Sequence, residues 1–311
     1  MNQNVNTKPV LCAGRVYCDL VFTDVPRLPT LGTETFAGGI GIHAGGGAFI
    51  TAATLSALGQ TSSLLSMLPA APFDALVTKE LIANNVNIQH CVPAPQGDDP
   101  QITVAIASGI DRAFISRRVN SAIPVISDGN ICKYSHLHIG EIRTLKEHPE
   151  LPRQAHAAGL TISLDCGWDD ELMADPSGLK ELIASVDIFL PNEVEADQLL
   201  KAGISMTTAP LTVIKCGEKG AVLQTRTETI TVPTTRVDVI DATGAGDAFN
   251  GGFIFEWLRD TPLAKCLEVG NACGASAVQG VGGTGGLASL CEISAPQLDP
   301  ISALMAKKTY R

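Results

Sequence analysis

One stretch of the chain, Asp241-Ala242-Thr243-Gly244-Ala245-Gly246-Asp247, sets a glycine turn and a carboxylate directly ahead of an apolar pattern with helical spacing. Phe249, Phe253, Ile254, Trp257 and Leu258 carry that pattern, so a helix must begin close to Gly246. The first N–H groups of a helix are unpaired and lie at the positive end of its dipole, so the small residues Gly244, Ala245 and Gly246 would let a phosphate approach closely. Asp247, in the first turn, would then be placed to accept a proton from a hydroxyl attacking that phosphate. The same pattern also suits an aspartate that stabilises its own helix start after a glycine turn.

Other residues that could do chemistry have equally ordinary readings. Glu195 falls in the first turn of a predicted helix and suits a dipole-compensating surface role. Gly217 to Gly220 reads as a β-turn, and Asn271 as a polar position on a helix. Asp19 could cap a turn, and a lone His43 suits a structural role.

The elements that must position these residues alternate. Leu160 to Leu164, Asp187 to Leu190, Leu211 to Ile214 and Ala221 to Leu223 are predicted strands. Thr51 to Leu58, Phe73 to Asn84, Glu193 to Lys201, Ala248 to Leu258 and Leu263 to Val278 are predicted helices. Such alternation implies an α/β fold with a mostly parallel sheet covered on both faces. Val16 to Phe36 and Gln101 to Val119 break the rhythm with strand-like runs and no helix between them. Gln101 to Ala107 and Ala113 to Val119 read as a hairpin. Together these segments would make a small β-sheet that serves as a lid or as a plain sheet extension.

Length and composition set limits. The 311 residues, 45% hydrophobic, suffice for one large domain with a packed core. A net charge of −10 argues against general affinity for nucleic acid or anionic lipid. Nine cysteines without a Cys-x-x-Cys pair suit free thiols in a reducing cytoplasm. The short polar start, Met1 to Lys8, has no apolar core of a secretory signal. Two nearly uncharged stretches, Thr35 to Phe73 and Val269 to Cys291, are rich in Gly, Ala, Ser and Thr, and they read as buried helices with glycine loops rather than membrane spans.

The seven-residue string around Asp247 resembles the C-terminal signature of the ribokinase-like (PfkB-type) carbohydrate kinase family, and further matches follow in that family's order from Gly14 to Thr284. The resemblance implies a ribokinase-like three-layer α/β/α sandwich across residues 1–311, with a small β-sheet lid contributed by about 15–44 and 99–120. It implies an ATP-dependent sugar kinase that uses Mg²⁺, with Asp247 as general base and Gly244, Ala245 and Gly246 as the anion hole. Pro191-Asn192-Glu193-Val194-Glu195 looks like the family's Asn-x-x-Glu motif, in which Asn192 and Glu195 help to place Mg²⁺ and the phosphates. Lys215-Cys216-Gly217-Glu218-Lys219-Gly220 resembles the turn lining the nucleotide site, and Asn271 matches a position near the adenine. Asp241, Thr243, Ala277, Gly280, Gly282 and Thr284 fall where the family places a monovalent cation such as K⁺. Asp19 looks like the aspartate that bonds substrate hydroxyls, and Gly45-Gly46 like the diglycine beneath the sugar.

Two departures bear on the substrate. Ile50 stands where the family usually has Asn, and an apolar side chain cannot bond a sugar hydroxyl, which counts against ribose; His43 or Arg15 would be the replacement contacts. After Asp165, the Asn and Arg usual in relatives acting on keto-deoxy sugar acids are absent. A nucleoside kinase of the same fold and a sugar-binding relative without turnover are the alternatives, and a homodimer through the lid is in keeping with the family. Gly39 to Ala44 fits a dinucleotide-binding Gly-x-Gly-x-x-Ala but follows polar residues rather than a buried strand. No Gly-Lys dipeptide is present, hence no Walker A motif.

Overall fold

The computed structural model describes residues 8–108, 111–119, 121–125 and 131–292. Among them, strands β1 (Val10–Ala13), β4 (Ser62–Met67), β5 (Asn87–Val92), β8 (His136–Ile139), β9 (Thr161–Asp165), β10 (Ile188–Leu190), β11 (Leu211–Lys215), β12 (Ala221–Gln224) and β13 (Thr229–Val232) form one sheet. Their order is β13-β12-β11-β10-β9-β8-β1-β4-β5, parallel except for the β11-β12-β13 edge. Helices cover both faces, as α1 (Gly47–Ala57), α2 (Asp74–Ala83), α8 (Ala245–Trp257) and α9 (Leu263–Ala277) on one, and α3 (Ile142–Glu147), α4 (Leu151–Ala157), α6 (Leu179–Ala184) and α7 (Glu193–Lys201) on the other.

The two-residue period of a strand builds the three layers. In β1, Val10 and Cys12 join the core under α1 and α8, while Leu11 and Ala13 join the core under α3 and α4. Both faces being buried, such strands read as continuous apolar runs rather than alternating ones. The uncharged stretches expected to be buried helices contain α1 and α9, and among the described residues no helix is long and apolar enough to cross a membrane.

The predicted elements lie where spacing put them, to within a few residues. The helix expected from Ala248 starts at Ala245, and that expected from Thr51 starts at Gly47. The two rhythm-breaking segments supply three strands, β2 (Tyr17–Thr23), β6 (Ile102–Ser108) and β7 (Asp111–Arg117), of a separate four-stranded sheet ordered β3-β2-β6-β7, while its remaining strand, β3 (Gly39–Gly45), lies beyond the expected Val16 to Phe36. Residues 109–110, at the expected hairpin turn, lie outside the described residues. The Gly-x-Gly-x-x-Ala string is part of β3 and opens no helix, which removes the dinucleotide-binding reading.

Arg15 ties this small sheet to the body. Its side chain is 2% exposed; it donates to Gln101 Oε1 at 3.0 Å and the Val119 carbonyl at 2.9 Å, and it pairs with Glu147. The expectation that Arg15 contacts substrate is therefore corrected: its guanidinium is engaged by groups that anchor the lid.

Candidate active site

The carboxyl ends of the parallel strands all point to one edge, where open α/β sheets bind ligands. Asp165 ends β9, Lys215 ends β11, and Asn192 follows β10 and bridges to Lys215. Helix α8 begins over the same edge. Its N-cap, Gly244, has φ 74° and no side-chain cap, so the first-turn amides have no side-chain acceptor. A methyl group at Gly244 would fall 2.8 Å from the Gly283 Cα, so the turn needs glycine for space as well as for its left-handed backbone.

Three consecutive glycines form the floor between the lid and α8. A Cβ at Gly45 would fall 2.0 Å from Asp19 Oδ2, one at Gly46 2.2 Å from the Arg15 carbonyl oxygen, and one at Gly47 2.6 Å from Asp247 Oδ1. The two carboxylates therefore flank this floor, Asp19 from β2 and Asp247 from α8. Helix α8 is itself fixed against α1 by the Thr51 hydroxyl donating to the Asp247 carbonyl at 3.0 Å.

Asp247 belongs to a buried charge cluster. Lys215 Nζ donates to both oxygens of Asp165 at 3.0 Å and lies 3.3 Å from Asn250 Oδ1, while Asn250 Nδ2 donates to Asp165 Oδ2 at 2.5 Å. Burial, then the Asp165 charge, pushes Asp247 up to about 8 against the opposing pull of Lys215. Glu195 is pushed up to about 7, first by burial and then by Asp165. Asp19 is likewise raised to about 7, by burial, then by Glu80 and Asp241. Among the described residues no group of three or more such side chains is placed to hold a metal ion by itself, so a divalent cation here would be held mainly by phosphates and water.

Other residues singled out in the sequence lie around this cluster. Asn192 and Glu195 form a reciprocal capping box at the start of α7: the Glu195 N–H donates to Asn192 Oδ1 at 2.9 Å and the Asn192 N–H to Glu195 Oε2 at 2.8 Å. A cleft of about 370 Å³ opens beside the start of α8, lined by Lys215, Gly217, Glu218, Gly220, Ala245, Gly246, Phe249 and Asn271 among others. Asn271 reaches its wall from α9, its amide donating to the carbonyls of Val232 and Pro233. Asp241 clamps two loops, with Oδ1 accepting from the N–H and hydroxyl of Thr243 and Oδ2 from the Gly282 N–H at 2.9 Å. The Thr284 hydroxyl lies 3.5 Å from Glu80 Oε1, and Ala277 and Gly280 are joined by a backbone bond of 3.3 Å. His43 stands opposite Asp19 across β2 and β3, its Nδ1 3.9 Å from Glu80.

Ile50 is 2% exposed and packs against Gly244 and Gly283. An apolar side chain here packs under the glycine turn that opens α8 and offers no polar contact. Sequence spacing had not marked Asn250, Glu80 or Gly47. Asn250 carried a signal, three residues beyond Asp247 on the same helix face. Glu80 carried none: it reaches the Ala44 N–H, at 2.7 Å, only because α2 packs under β3.

A parallel sheet whose strand ends face an uncapped helix start, with a carboxylate in that helix's first turn and a separate sheet above it, defines a ribokinase-like phosphotransferase. The model of the pfkB family carbohydrate kinases matches residues 10–289, and the chain belongs to that family, which transfers phosphate to sugar hydroxyls. It is 27% identical to the ATP-dependent ribose-1-phosphate kinase of Halopiger xanaduensis over 96% of this chain and 98% of that protein. It is 27% identical to a fructokinase of Rhizobium leguminosarum over 82% of each. In fold it resembles an E. coli chain described as a Ribokinase II in complex with ATP and Mg²⁺, with a TM-score of 0.75 at 22% identity, covering 93% of this chain and 98% of that one.

Proposed function

We propose that the chain transfers the γ-phosphate of ATP to a hydroxyl of a sugar or a sugar-bearing small molecule, with Asp247 as general base. The observation that carries this reading is the floor of Gly45 to Gly47, which has Asp19 at one end and Asp247, in the first turn of the uncapped helix, at the other. A hydroxyl held over that floor by Asp19 gives its proton to Asp247 as its oxygen bonds to the γ-phosphorus. The bond from that phosphorus to the bridging oxygen breaks, and ADP leaves with the electron pair. The amides at Gly244, Ala245 and Gly246 stabilise the charge on the transferred group. The nucleotide occupies the cleft lined by Lys215, Gly217, Glu218, Gly220 and Asn271, a reading supported by the ATP and Mg²⁺ bound to the E. coli relative. Mg²⁺, when bound, neutralises phosphate charge, and Asn192 and Glu195 stand where they would hold its water shell.

Two further assignments belong to this reading. A monovalent cation such as K⁺ sits beside the Asp241 clamp, among Thr243, Ala277, Gly280, Gly282 and Thr284. A homodimer forms through the lid, whose face away from Asp19 carries Ile40, Ile42 and Ile115, exposed by 59%, 40% and 68%. Sedimentation of the wild type tests the latter, a monomer at micromolar concentration discarding it.

The deciding experiment is ADP release from Mg·ATP with a panel of pentoses, hexoses, keto-sugars, sugar phosphates and nucleosides, with and without K⁺. Acceptor-dependent release, increased by K⁺, is expected. ATP binding without release for any acceptor would replace the kinase reading with that of a binding relative.

A further inference from the structure

A second, larger cleft of about 870 Å³ lies between the lid and the body, lined by Tyr17, Phe114, Ser116, Glu141, Gly167 and Trp168 and equally by six charged residues, Arg117, Arg118, Arg143, Asp169, Asp170 and Glu171. It borders the active site, since Tyr17 lies two residues from Asp19 on β2 and Glu141 follows Gly140, which faces Gly47. Register places Tyr17, Asp19, Phe114 and Ser116 on one face of the lid sheet, since Asp19 pairs with Thr103 and Thr103 with Ser116, while Val21 pairs with Ala105 and Ala105 with Phe114. From the body side, a Cβ at Gly47 would fall 3.1 Å from the Gly140 carbonyl, and one at Gly167 would fall 3.0 Å from the Glu141 Cβ. The wall therefore runs from Asp247 past Gly140 and Glu141 to Gly167 and Trp168.

The lining discriminates between acceptors. Trp168 is 53% exposed although its indole N–H is pinned to Asp170 Oδ1 at 2.7 Å, so a fixed aromatic face is left open to the cleft. Phe114 presents a ring, also 53% exposed, from the lid side. The cationic groups are already matched. Arg143 makes a two-pronged contact with Asp169 at 2.7 and 2.6 Å, Arg118 reaches Asp169 at 2.6 Å and Glu171 at 3.3 Å, and Arg117 pairs with Asp99. A second phosphate on the substrate would have to displace these carboxylates, whereas a flat neutral ring only has to cover apolar surface.

Resting on the kinase reading above, we infer that the acceptor is a nucleoside, its sugar over Gly45 to Gly47 and its base in the lid cleft against Trp168 and Phe114. Stacking of this kind suits any base because every base has a π-face, so selectivity among bases falls to the polar groups nearby, Ser116 and Asp170.

The test uses the full chain with cytidine, inosine, ribose and ribose 1-phosphate as probes. With Mg·ATP, kcat/KM for a nucleoside should exceed that for ribose and ribose 1-phosphate by about 10-fold or more, the value of one stacked base. Equal or better use of either sugar overturns the inference. Calorimetric titration of the nucleosides without ATP reads the cleft independently of turnover. Trp168→Ala should weaken nucleoside binding about 10- to 100-fold and Trp168→Phe should restore most of it. In turnover the loss should fall on KM rather than kcat, because a stacked base is held equally in ground and transition states. Absence of nucleoside binding by the wild type, or unchanged affinity in Trp168→Ala, sinks the inference. Nucleoside binding through Trp168 with no phosphorylation of any acceptor keeps the cleft as the nucleoside's site and removes the kinase reading instead, whereas phosphorylation of a sugar but not of the bound nucleoside overturns the inference.

Discussion

The nucleotide side and the lid side of the active site are built on opposite plans. On the nucleotide side the functional groups come from strand ends and one helix start, and they are locked to one another: Lys215, Asp165 and Asn250 are joined by hydrogen bonds at 11% exposure or less. On the lid side the groups stand apart, with Trp168 half exposed, His43 3.9 Å from Glu80, and the lid held to the body by Arg15 and by the Arg118 pairs. The triphosphate is common to every reaction of such an enzyme, so a rigid, preorganised cradle suits it. The acceptor side has to admit its substrate, which a sheet separate from the main one suits.

Asp247, at the seam, gives the largest expected effect. Asp247→Asn should lower kcat by about 10²- to 10⁴-fold, the usual worth of a general base, with ATP affinity largely kept. A variant as active as the wild type would remove Asp247 from the chemistry. Lys215→Met comes next and should act on the nucleotide side alone. Breaking a buried ion pair costs about 3–5 kcal/mol, which denaturant unfolding would read, and KM for ATP should rise more than KM for the acceptor. Adding Asp165→Asn should return part of the lost stability.

Arg15→Met should do the converse through the lid anchor. It leaves Gln101, the Val119 carbonyl and Glu147 short of a donor, worth about 1–3 kcal/mol, and raises acceptor KM while sparing ATP. Equal effects of both substitutions on both substrates would erase the distinction between the two sides. The smallest expected effect is on stability at the seam itself. Asp247 is raised from 3.8 to about 8, so the folded state binds more protons than the unfolded one between those values, and stability is lost as pH rises through that window. Asp247→Asn should therefore raise Tm by a few degrees at pH 8 and less at pH 5, a cost in stability that the active site carries for its base.

The two sides also differ in how far they could be read from sequence. The string from Asp241 to Asp247 is contiguous, and its glycine turn, helix start and carboxylate follow from local backbone preference and spacing alone. The same holds for the capping box at Asn192 and Glu195. Arg15 and Ile50 could not be placed from sequence for a common reason: their side chains point into packing that only the folded chain supplies. Arg15 meets Glu147 from across 132 positions, and Ile50 meets Gly283.

By itself, then, the sequence determined the layered α/β architecture, the small lid sheet, and the glycine turn that opens a helix with Asp247 in its first turn, because each depends on periodicity or on residues within one turn of each other. Tertiary structure alone decided that Asp165 and Asn250 surround Lys215, that Gly47 makes room for Asp247, and that Phe114 and Trp168 line one cleft. Those arrangements join segments tens to hundreds of residues apart, and their register is set by sheet order and core packing, which local spacing does not encode.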